Sequence, residues 1–347
     1  MTSIHGATRR LFERLRDETV DIDAEFVVAP TSTEEAAEVL SAAAEARVPV
    51  SFHGGGTHLG YGNRPDTAVV MTTSRMNRIV EWQPEDLTVV VEAGVRVDDL
   101  EAELVTRNQS AVLPEVAPGA TVGGVIAAGL SGYRRLRYGP TRDRVLLVNV
   151  ATGYGAAVKG GSPVVKASTG YGVPRIVTGS FGSLGLIGSA MLKLWSQPQA
   201  TATVKVTDAV SVLQETYRPL AVLETSEGSF LYLAGAQEQI DAQASQVGGV
   251  AVAGLAWPER IGGELRAEFR VPARHVAEAI RWTERLETDR WIAEHGVGRV
   301  VGNLNTLDPD VFISARAWAE SIGGALLLVS QTDTGVDPWG SPPASIE

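Results

Sequence analysis

Residues 48–60 read Val-Pro-Val-Ser-Phe-His-Gly-Gly-Gly-Thr-His-Leu-Gly, a short β-rich run that leads directly into three consecutive glycines. Glycine has no side chain to cover its backbone, so successive N–H groups in such a loop can converge on an anionic oxygen. Tight turns also need glycine. This loop alone therefore indicates an anion-binding loop and an ordinary turn about equally. The loop has neither the Gly-Lys-Ser/Thr ending of a Walker loop nor the spaced glycines of the dinucleotide fingerprint.

A helix and a second strand are predicted on either side of this loop. Ser32 followed by Glu35 fits a capping box, and the apolar stripe over Thr33–Ala46 predicts a helix. Residues 68–71 are typical of a strand. The glycine loop is therefore expected at the end of a strand in a small α/β unit.

Two further glycine-rich segments follow. Residues 118–129 read Pro-Gly-Ala-Thr-Val-Gly-Gly-Val-Ile-Ala-Ala-Gly, and residues 178–187 read Thr-Gly-Ser-Phe-Gly-Ser-Leu-Gly-Leu-Ile. Between them, residues 138–143 form the polar turn Tyr-Gly-Pro-Thr-Arg-Asp. This recurrence shifts the balance from isolated turns towards a site for a phosphate-bearing cofactor.

Short strands and turns are predicted through the rest of the N-terminal part. The predicted strands cover residues 87–92, Val145–Ala151, 164–167 and 186–195, and Val97–Val105 is predicted as a helix. The order of these elements is typical of an α+β fold and not of a repeating βαβ array.

From about residue 200 the glycine loops thin out and strands alternate with helices. Strands are predicted at residues 230–234, 268–271 and 297–301, and helices at residues 237–247, 274–286 and 311–321. Residues 336–343 form a Pro/Gly tail, and no internal repeat is evident in the sequence.

Composition excludes several classes of function. The formal net charge of -11 argues against a nucleic-acid partner, because such proteins usually present a basic surface. The 347 residues contain no Cys, which excludes disulfides, cysteinyl-flavin bonds and a thiolate-bound iron–sulfur cluster. Electrons that reach this chain must therefore leave through another group or another molecule.

The sequence predicts no membrane-spanning segment and no secretory signal. It has no run of about 18 consecutive apolar residues, and arginines and acidic residues occupy its N-terminal stretch. We therefore expect a cytoplasmic protein that reaches a membrane only through partners.

With its three glycine segments, the chain resembles the PCMH-type FAD-binding family, the vanillyl-alcohol-oxidase-like flavoproteins, and within it the FAD-binding E subunits of glycolate oxidases. The resemblance runs from Val27 to Trp195. Its most specific string is Gly-Ser-x-Gly-x-Leu-Gly-x-Ile at residues 179–187. It implies an α+β fold in which a two-subdomain PCMH-type FAD-binding domain precedes a smaller ferredoxin-like α+β cap domain. The expected boundaries are 1–24 for an N-terminal segment, 25–200 for the FAD-binding domain, 201–330 for the cap and 331–347 for an irregular tail.

The resemblance also implies the residues that hold FAD. The first loop corresponds to the family's pyrophosphate loop, and the second to its turn near the isoalloxazine ring and ribityl chain. Thr57 stands where some relatives carry a flavin-linked histidine, so the FAD is expected to be non-covalent. The implied cofactor-binding residues are Gly54, Gly55, Gly56, Thr57, His58, Leu59, Pro118, Gly119, Thr121, Gly123, Gly124, Tyr138, Thr141, Arg142, Gly185 and Ile187.

The sequence does not identify the catalytic residues. A 2-hydroxy-acid substrate would need a cation for its carboxylate and a base for its hydroxyl proton. The candidates are Arg270, Arg299, His275, His295, Tyr171 and Lys166. Each of these side chains is more often solvated or packed than functional, and the family's Gly-Tyr-Asp stands here as Gly-Tyr-Gly at residues 170–172.

Two further clusters have simpler interpretations. Arg134, Arg135 and Arg137 could meet the anionic cofactor or an acidic partner, although solvent exposure is the more common arrangement. His53 and His58 flank the glycines, but no second pair of ligands accompanies them, so no metal site is predicted.

Three functions stay open at this point. The resemblance implies an FAD-dependent oxidoreductase subunit that oxidises a small 2-hydroxy acid, glycolate or lactate, beside a second flavoprotein subunit and an iron–sulfur subunit. A free-standing FAD oxidase or dehydrogenase is the second, and a non-catalytic scaffold that keeps the fold is the third. The exact substrate and the electron acceptor are not determined by the sequence.

Overall fold

The computed structural model describes residues 4–20, 22–63, 67–163, 172–330 and 332–341. Its helices are α1 (Gly6–Arg14), α2 (Thr33–Ala46), α3 (Val97–Val105), α4 (Val122–Ala127), α5 (Arg135–Tyr138), α6 (Val173–Val177), α7 (Ala209–Glu215), α8 (Gln237–Gln246), α9 (Val276–Arg285) and α10 (Pro309–Ser321). Within the described ranges, every helix is too short or too polar to cross a bilayer.

The strands, in chain order, are β1 (Phe26–Val28), β2 (Val50–His53), β3 (Val69–Thr72), β4 (Ile79–Gln83), β5 (Thr88–Glu92), β6 (Gln109–Ser110), β7 (Val145–Ala151), β8 (Ala157–Gly161), β9 (Leu186–Lys193), β10 (Trp195–Ser196), β11 (Ala200–Val206), β12 (Ala221–Thr225), β13 (Gly228–Gly235), β14 (Ala251–Ala253), β15 (Leu265–Arg270), β16 (Thr288–Glu294), β17 (Arg299–Leu304) and β18 (Ala325–Ser330). The predicted strand at residues 164–167 lies outside the described residues.

The chain divides into two compact units. Unit 1 comprises residues 1–58, 65–132 and 139–197, and unit 2 comprises residues 59–64, 133–138 and 198–347. The chain therefore contributes two short segments to unit 2 before the continuous part that begins at residue 198.

The first half of unit 1 is a parallel three-stranded sheet of order β1-β3-β2, with α1 and α2 in its core. The predicted N-terminal segment belongs to this core, because α1 buries Phe12 against the ring of Phe26, with 5.6 Å between the ring centroids. Parallel strands end at the same edge of a sheet, so the ends of β2 and β3 lie side by side.

The second half of unit 1 is an antiparallel five-stranded sheet of order β4-β5-β9-β7-β8, packed against α3 and α4. The predicted helix Val97–Val105 agrees with α3 at both ends. In the described residues of this half, the short helices α4 and α6 interrupt the glycine-rich stretch. The two halves of unit 1 confirm the two-subdomain α+β architecture.

Unit 2 is built around an eight-stranded antiparallel sheet of order β14-β11-β13-β12-β16-β17-β15-β18. Two βαββαβ motifs form it. In the first, β11 to β14 lie in the order fourth, first, third, second, and β15 to β18 of the second repeat the same order in reverse. The second strands of the two motifs, β12 and β16, join them.

The fold of unit 2 thus contains an internal repeat that the sequence does not reveal. Each motif has the ferredoxin-like connectivity, and each has its own apolar core. The core of the first motif includes residues of α7 and α8, and the core of the second includes residues of α9 and α10. A repeat of this kind preserves the pattern of strands and helices and leaves the identity of the core side chains free to change.

The helices cover one face of this sheet, and a different set of side chains occupies the other. Side chains alternate between the faces of a strand, so Val300 joins the core under the helices while Val301 points to the opposite side. That opposite side, here called the helix-free face because α7 to α10 leave it uncovered, carries an apolar group that includes Tyr232, Ile292 and Val301, with Tyr138 of α5 packed against it. Residues 254–264, between β14 and β15, supply Trp257 and Ile261 to the same group.

Candidate functional site

The three glycine segments meet at one cleft in unit 1. The cleft encloses about 420 Å³ of empty space, including space open to solvent. The residues that line it are Phe52, His53, Gly54, Thr73, Gly123, Gly124, Ala127, Phe181, Gly182, Gly185, Leu186 and Ile187. They come from the ends of β2 and β3, from α4, and from the loop that leads into β9.

The first loop offers a row of free backbone donors. In the described part of the chain, the N–H groups of residues 54–57 have no hydrogen-bond acceptor. A Cβ on Gly55 would lie 1.8 Å from the carbonyl oxygen of Gly119, and one on Gly54 would lie 2.3 Å from Oγ1 of Thr121. The loop therefore packs directly on the second glycine segment, with amides that can receive an anion.

The second segment forms the start of α4. Thr121 caps this helix by accepting a hydrogen bond of 3.2 Å from the N–H of Gly124, and the N–H of Gly123 donates to the carbonyl of Ala93 at 2.8 Å. A Cβ on Gly123 would lie 2.5 Å from the Ala93 Cβ, whereas one on Gly124 would meet only Thr121 Oγ1, at 3.1 Å. Gly123 is thus required for packing, and Gly124 keeps the cleft open.

The third segment is bound to the end of α4. The N–H of Gly179 donates to the carbonyl of Ile126 at 3.0 Å, and the N–H of Phe181 donates to that of Ala127 at 2.8 Å. These two bonds place residues 181–187 across the cleft from the first loop. The apolar side chains of Leu186 and Ile187 form part of its wall.

His53 lies at the junction of the first loop and the cleft. Its ring packs against Gly56, where an added Cβ would lie 2.6 Å from His53 Nε2. Burial lowers the pKa of His53 below its ordinary value, so the ring is neutral at pH 7. The sequence contained a signal for this residue, because it is the last one of a strand that runs into the glycines.

Five of the predicted cofactor-binding residues line the cleft: Gly54, Gly123, Gly124, Gly185 and Ile187. Gly55, Gly56, Gly119 and Thr121 lie next to it through the contacts above. Thr57 and His58 form the following turn, where Thr57 Oγ1 and His58 Nδ1 are 2.8 Å apart. Pro118 is exposed on the turn before Gly119, and Leu59 and Tyr138 belong to unit 2.

Two further predicted site residues, Thr141 and Arg142, also lie away from the lining of this cleft. Thr141 is fully buried, and its hydroxyl donates to the carbonyl of Leu130, which fixes the turn at residues 139–143. The Arg142 side chain is 61% exposed and pairs with Asp143 at 3.9 Å. A buried neighbour, Arg144, instead donates to the carbonyls of Val112 and Gly139.

Sequence reasoning missed several residues of the cleft. Phe52, Thr73, Ala127 and Phe181 line it. Thr73 could have been found from the topology, because it follows β3 at the sheet edge where β2 also ends. Ala127 carries no such signal, since it faces the cleft only through the orientation of α4.

The arginines proposed as carboxylate ligands are committed to other partners in unit 2. Arg299 donates to Glu294 at 2.7 Å and to Glu268 at 3.0 Å, and Arg270 donates to Glu268 at 2.8 Å. Burial opposes the charge of Glu268, but Arg299 and Arg270 outweigh it and hold the pKa of this carboxyl well below its usual range. Buried carboxylates therefore already neutralise both of these candidate guanidinium groups.

The remaining candidates are also placed by the structure. His275 lies 3.8 Å from Glu278 at the start of α9, and buried His295 lies 2.7 Å from Glu224. Arg137 donates to the carbonyl of Ala234 at 2.7 Å, so it is not a freely solvated side chain. Lys166 and Tyr171 lie outside the described residues.

The described residues contain no group of three His, Asp or Glu that could hold a metal ion.

The cleft fits a cofactor that is anionic at one end and flat and apolar at the other. The amides at residues 54–57 suit a pyrophosphate, and the described residues that line the cleft include no charged side chain that would compete with them. The apolar side chains of Phe52, Phe181, Leu186 and Ile187 suit an aromatic ring system, and the glycines allow it to approach the backbone. FAD has both features.

Comparison with solved structures agrees with this fold. An alkyldihydroxyacetonephosphate synthase has a TM-score of 0.64 with this chain at 16% identity, over 88% of this chain and 72% of that protein. At this identity the likeness concerns the fold alone.

Two curated relatives are similar in sequence. The mitochondrial D-lactate dehydrogenase [cytochrome] of Arabidopsis thaliana is 35% identical over 56% of this chain and 34% of its own length. The glycolate oxidase subunit GlcE of Escherichia coli (strain K12) is 28% identical over 64% of this chain and 66% of its own length. The chain spans only 34% to 38% of the length of the first relatives that it matches.

The match to a family model covers the part of the chain that contributes the first two glycine segments of the cleft. Residues 24–161 match the FAD binding domain family. This range includes the first two glycine segments and their amide donors. Residues 24–161 are therefore similar to an FAD binding domain, and FAD is the cofactor that this similarity supports.

Proposed function

We propose that this chain is an FAD-dependent oxidoreductase subunit that acts on a small 2-hydroxy acid of the glycolate or lactate type. The observation that carries the proposal is the meeting of three glycine segments at one cleft, where the first loop has four backbone donors without an acceptor among the described residues. Relatives named as glycolate oxidase subunits and D-lactate dehydrogenases support the choice of substrate class.

The residues of the cleft bind and orient the cofactor in this proposal. The amides of residues 54–57 hold the pyrophosphate, and Gly124 and Ile187 border the ring, without a covalent link to the protein. Bound FAD supplies two-electron redox chemistry, and the protein determines how the substrate approaches it. All sixteen cofactor-binding residues inferred from the sequence stay candidates, and Thr141 acts through the turn that it fixes.

The partner subunits are part of the same proposal. GlcE is by its name a subunit, and this chain has no cysteine with which to bind an iron–sulfur cluster. We therefore infer a second flavoprotein subunit and an iron–sulfur subunit that take up the electrons. The cytoplasmic location expected from the sequence stays a prediction, which fractionation of cells that express the chain would test.

An absorption spectrum of the purified chain, followed by anaerobic titration, tests the proposal. The chain should carry oxidised flavin that acid denaturation releases, because no covalent bond holds it. Glycolate or D-lactate should bleach the flavin only when the partner subunits are present. Bleaching of the isolated chain would identify a free-standing enzyme, whereas a colourless protein that FAD does not stabilise would leave only the scaffold function.

A further inference from the structure

Two arginines on the helix-free face of unit 2 differ from the neutralised pair Arg270 and Arg299. Arg260 and Arg266 form no ion pair with any carboxylate in the described part of the chain. Glu259, next to Arg260 in sequence, is 2.9 Å from Arg290. The two guanidinium groups therefore carry a net positive charge that no described side chain balances.

The loop that carries Arg260 is firmly attached to the helix-free face. Trp257 stacks on Tyr232 with 4.2 Å between the ring centroids, and the Tyr232 hydroxyl donates to the carbonyl of Ala256 at 3.0 Å. Ile261, on the other side of Arg260, is buried in the same apolar group. Arg260 thus has a fixed backbone on both sides.

Arg266 and Tyr61 complete the surroundings. Arg266 donates to the carbonyl of Ile261 at 3.2 Å, and its guanidinium group lies over the ring of Tyr61 at 6.0 Å from the centroid. The Tyr61 hydroxyl donates to Glu268 at 2.9 Å. This carboxylate is already shared by Arg299 and Arg270, so it leaves the charges of Arg260 and Arg266 unbalanced.

The electrostatic environment of Arg260 is unfavourable in the absence of a ligand. Burial lowers the pKa of Arg260, Tyr133 opposes this effect, and the nearby charges of Arg266 and Arg299 lower the pKa further. Arginine keeps its proton under these conditions, so the protein holds a partly buried charge that it does not neutralise. Such an arrangement destabilises the folded state unless an anion binds there.

We propose that Arg260 and Arg266 form an anion-binding site for the carboxylate of a small organic acid. The planar guanidinium group presents paired donors that match the two oxygens of a carboxylate. The Tyr61 ring lies beside Arg266, and both arginines are partly buried, which strengthens an ion pair formed there. The choice of carboxylate over other anions rests on the proposed function, since a 2-hydroxy acid is the substrate class given there.

Oxalate is the probe, because it carries the carboxylate but no hydroxyl that could be oxidised. Its dissociation constant is measured by calorimetry on the full-length chain in chloride buffer, for the wild type and for Arg260→Met, Arg266→Met and Arg260→Lys. Arg260→Met should weaken oxalate binding about tenfold to a hundredfold, and Arg260→Lys by less. Arg281→Met, which removes an exposed guanidinium group from α9, should bind oxalate as the wild type does.

The thermal transition separates a binding role from a structural one. Without oxalate, Arg260→Met should unfold at the same temperature as the wild type or a higher one, because it removes an unbalanced charge. A clear fall in that temperature, or wild-type oxalate affinity in Arg260→Met, would overturn the site. Inorganic phosphate that binds as tightly as oxalate would overturn the carboxylate assignment.

The failure of this site and the failure of the proposed function give different results. If no 2-hydroxy acid bleaches the flavin in any assay but oxalate binding still depends on Arg260, the anion site stands and the proposed function fails. If glycolate or D-lactate reduces the flavin of the Arg260→Met variant with the same KM as in the wild type, the proposed anion site is wrong and the proposed function stands.

Discussion

Glycines that look equivalent in the sequence have different tasks in the cleft. Gly55 and Gly123 are required because a Cβ there would collide with the Gly119 carbonyl or with Ala93. Gly124 has nearly enough room for a side chain, which would point into the cleft instead of into the protein. Substitution at Gly55 therefore tests the packing of the loop, and substitution at Gly124 tests cofactor binding.

We predict that Gly124→Asp abolishes FAD retention and leaves the protein folded. The carboxylate would occupy the cleft and repel the pyrophosphate held at residues 54–57. Flavin content after gel filtration measures the effect, and far-ultraviolet circular dichroism checks the fold. The control is Gly153→Asp, at an exposed position where an added Cβ meets no atom within 4 Å. Normal FAD content in Gly124→Asp would contradict the placement of the cofactor.

His53 should make FAD binding dependent on pH. Burial lowers the pKa of His53 in the free protein, and a pyrophosphate at the adjacent amides would raise it, so binding takes up a proton. FAD affinity should therefore rise about threefold to tenfold from pH 8 to pH 6. Fluorescence titrations of His53→Gln should show a weaker pH dependence, and those of His275→Gln should match the wild type. An unchanged pH dependence in His53→Gln would exclude this role.

Hydrogen bonds from side chains connect the N-terminal part of unit 1 to the segment after β3. Buried Asp17 accepts hydrogen bonds from Ser74 at 2.6 Å and Thr72 at 3.0 Å, and from the backbone and hydroxyl of Thr19. Burial alone would raise the pKa of Asp17, but these bonds outweigh it and lower the pKa to about 2. Asp17 thereby fixes the segment that brings Thr73 to the cleft.

The pKa of Asp17 predicts how stability depends on pH. An unfolded aspartate has a pKa of about 3.9, so the folded state favours the charged form by roughly 2 kcal/mol. This contribution is complete above about pH 5 and is lost as the pH falls towards 2. Urea unfolding of Asp17→Ala should show a free energy lower by about 2 kcal/mol at pH 7 and less dependence on pH below 5. Asp23→Ala, at an exposed carboxylate, should behave as the wild type; equal stability of both variants would refute the assignment.

The start of α2 shows how far a local motif specifies an element. The helix occupies the predicted residues, and Ser32 accepts the N–H of Glu35 at 3.1 Å as expected. The reciprocal half of the capping box is absent, because the Glu35 carboxylate accepts from the N–H and hydroxyl of Thr31 instead. The motif therefore predicted the boundary correctly and one of its two hydrogen bonds wrongly.

The molecule as a whole has two compact units with separate ligands in our proposals. FAD at a hundred times its dissociation constant should stabilise its unit by about 2.7 kcal/mol. Hydrogen exchange followed by mass spectrometry should show the largest FAD-dependent protection at residues 50–57, 121–127 and 179–187. Oxalate should instead protect residues 254–266 in the wild type. It should give no such protection in the Arg260→Met variant. Protection of residues 254–266 by FAD, with none in the three glycine segments, would contradict the assignment of the cofactor to unit 1.

Local sequence by itself determined the glycine loops, the bounds of α2 and α3 and the α+β class. Each of these depends on residues close together in the chain, such as an apolar stripe, a cap or a run without side chains. The family resemblance added the two-part FAD-binding domain. The residues of the cleft were predicted where they belong to a glycine motif, as Gly54 and Gly124 do.

Only the tertiary structure decided which charges are neutralised and which are free. Tyr61 and Glu268 are 207 residues apart in sequence, and Arg299 reaches two carboxylates on neighbouring strands. No local pattern specifies such pairs, because strand order brings them together after the chain has folded. For the same reason, local sequence could not predict the repeated motif of unit 2 or the unbalanced charge of Arg260. Both depend on how the strands pair and not on what each strand contains.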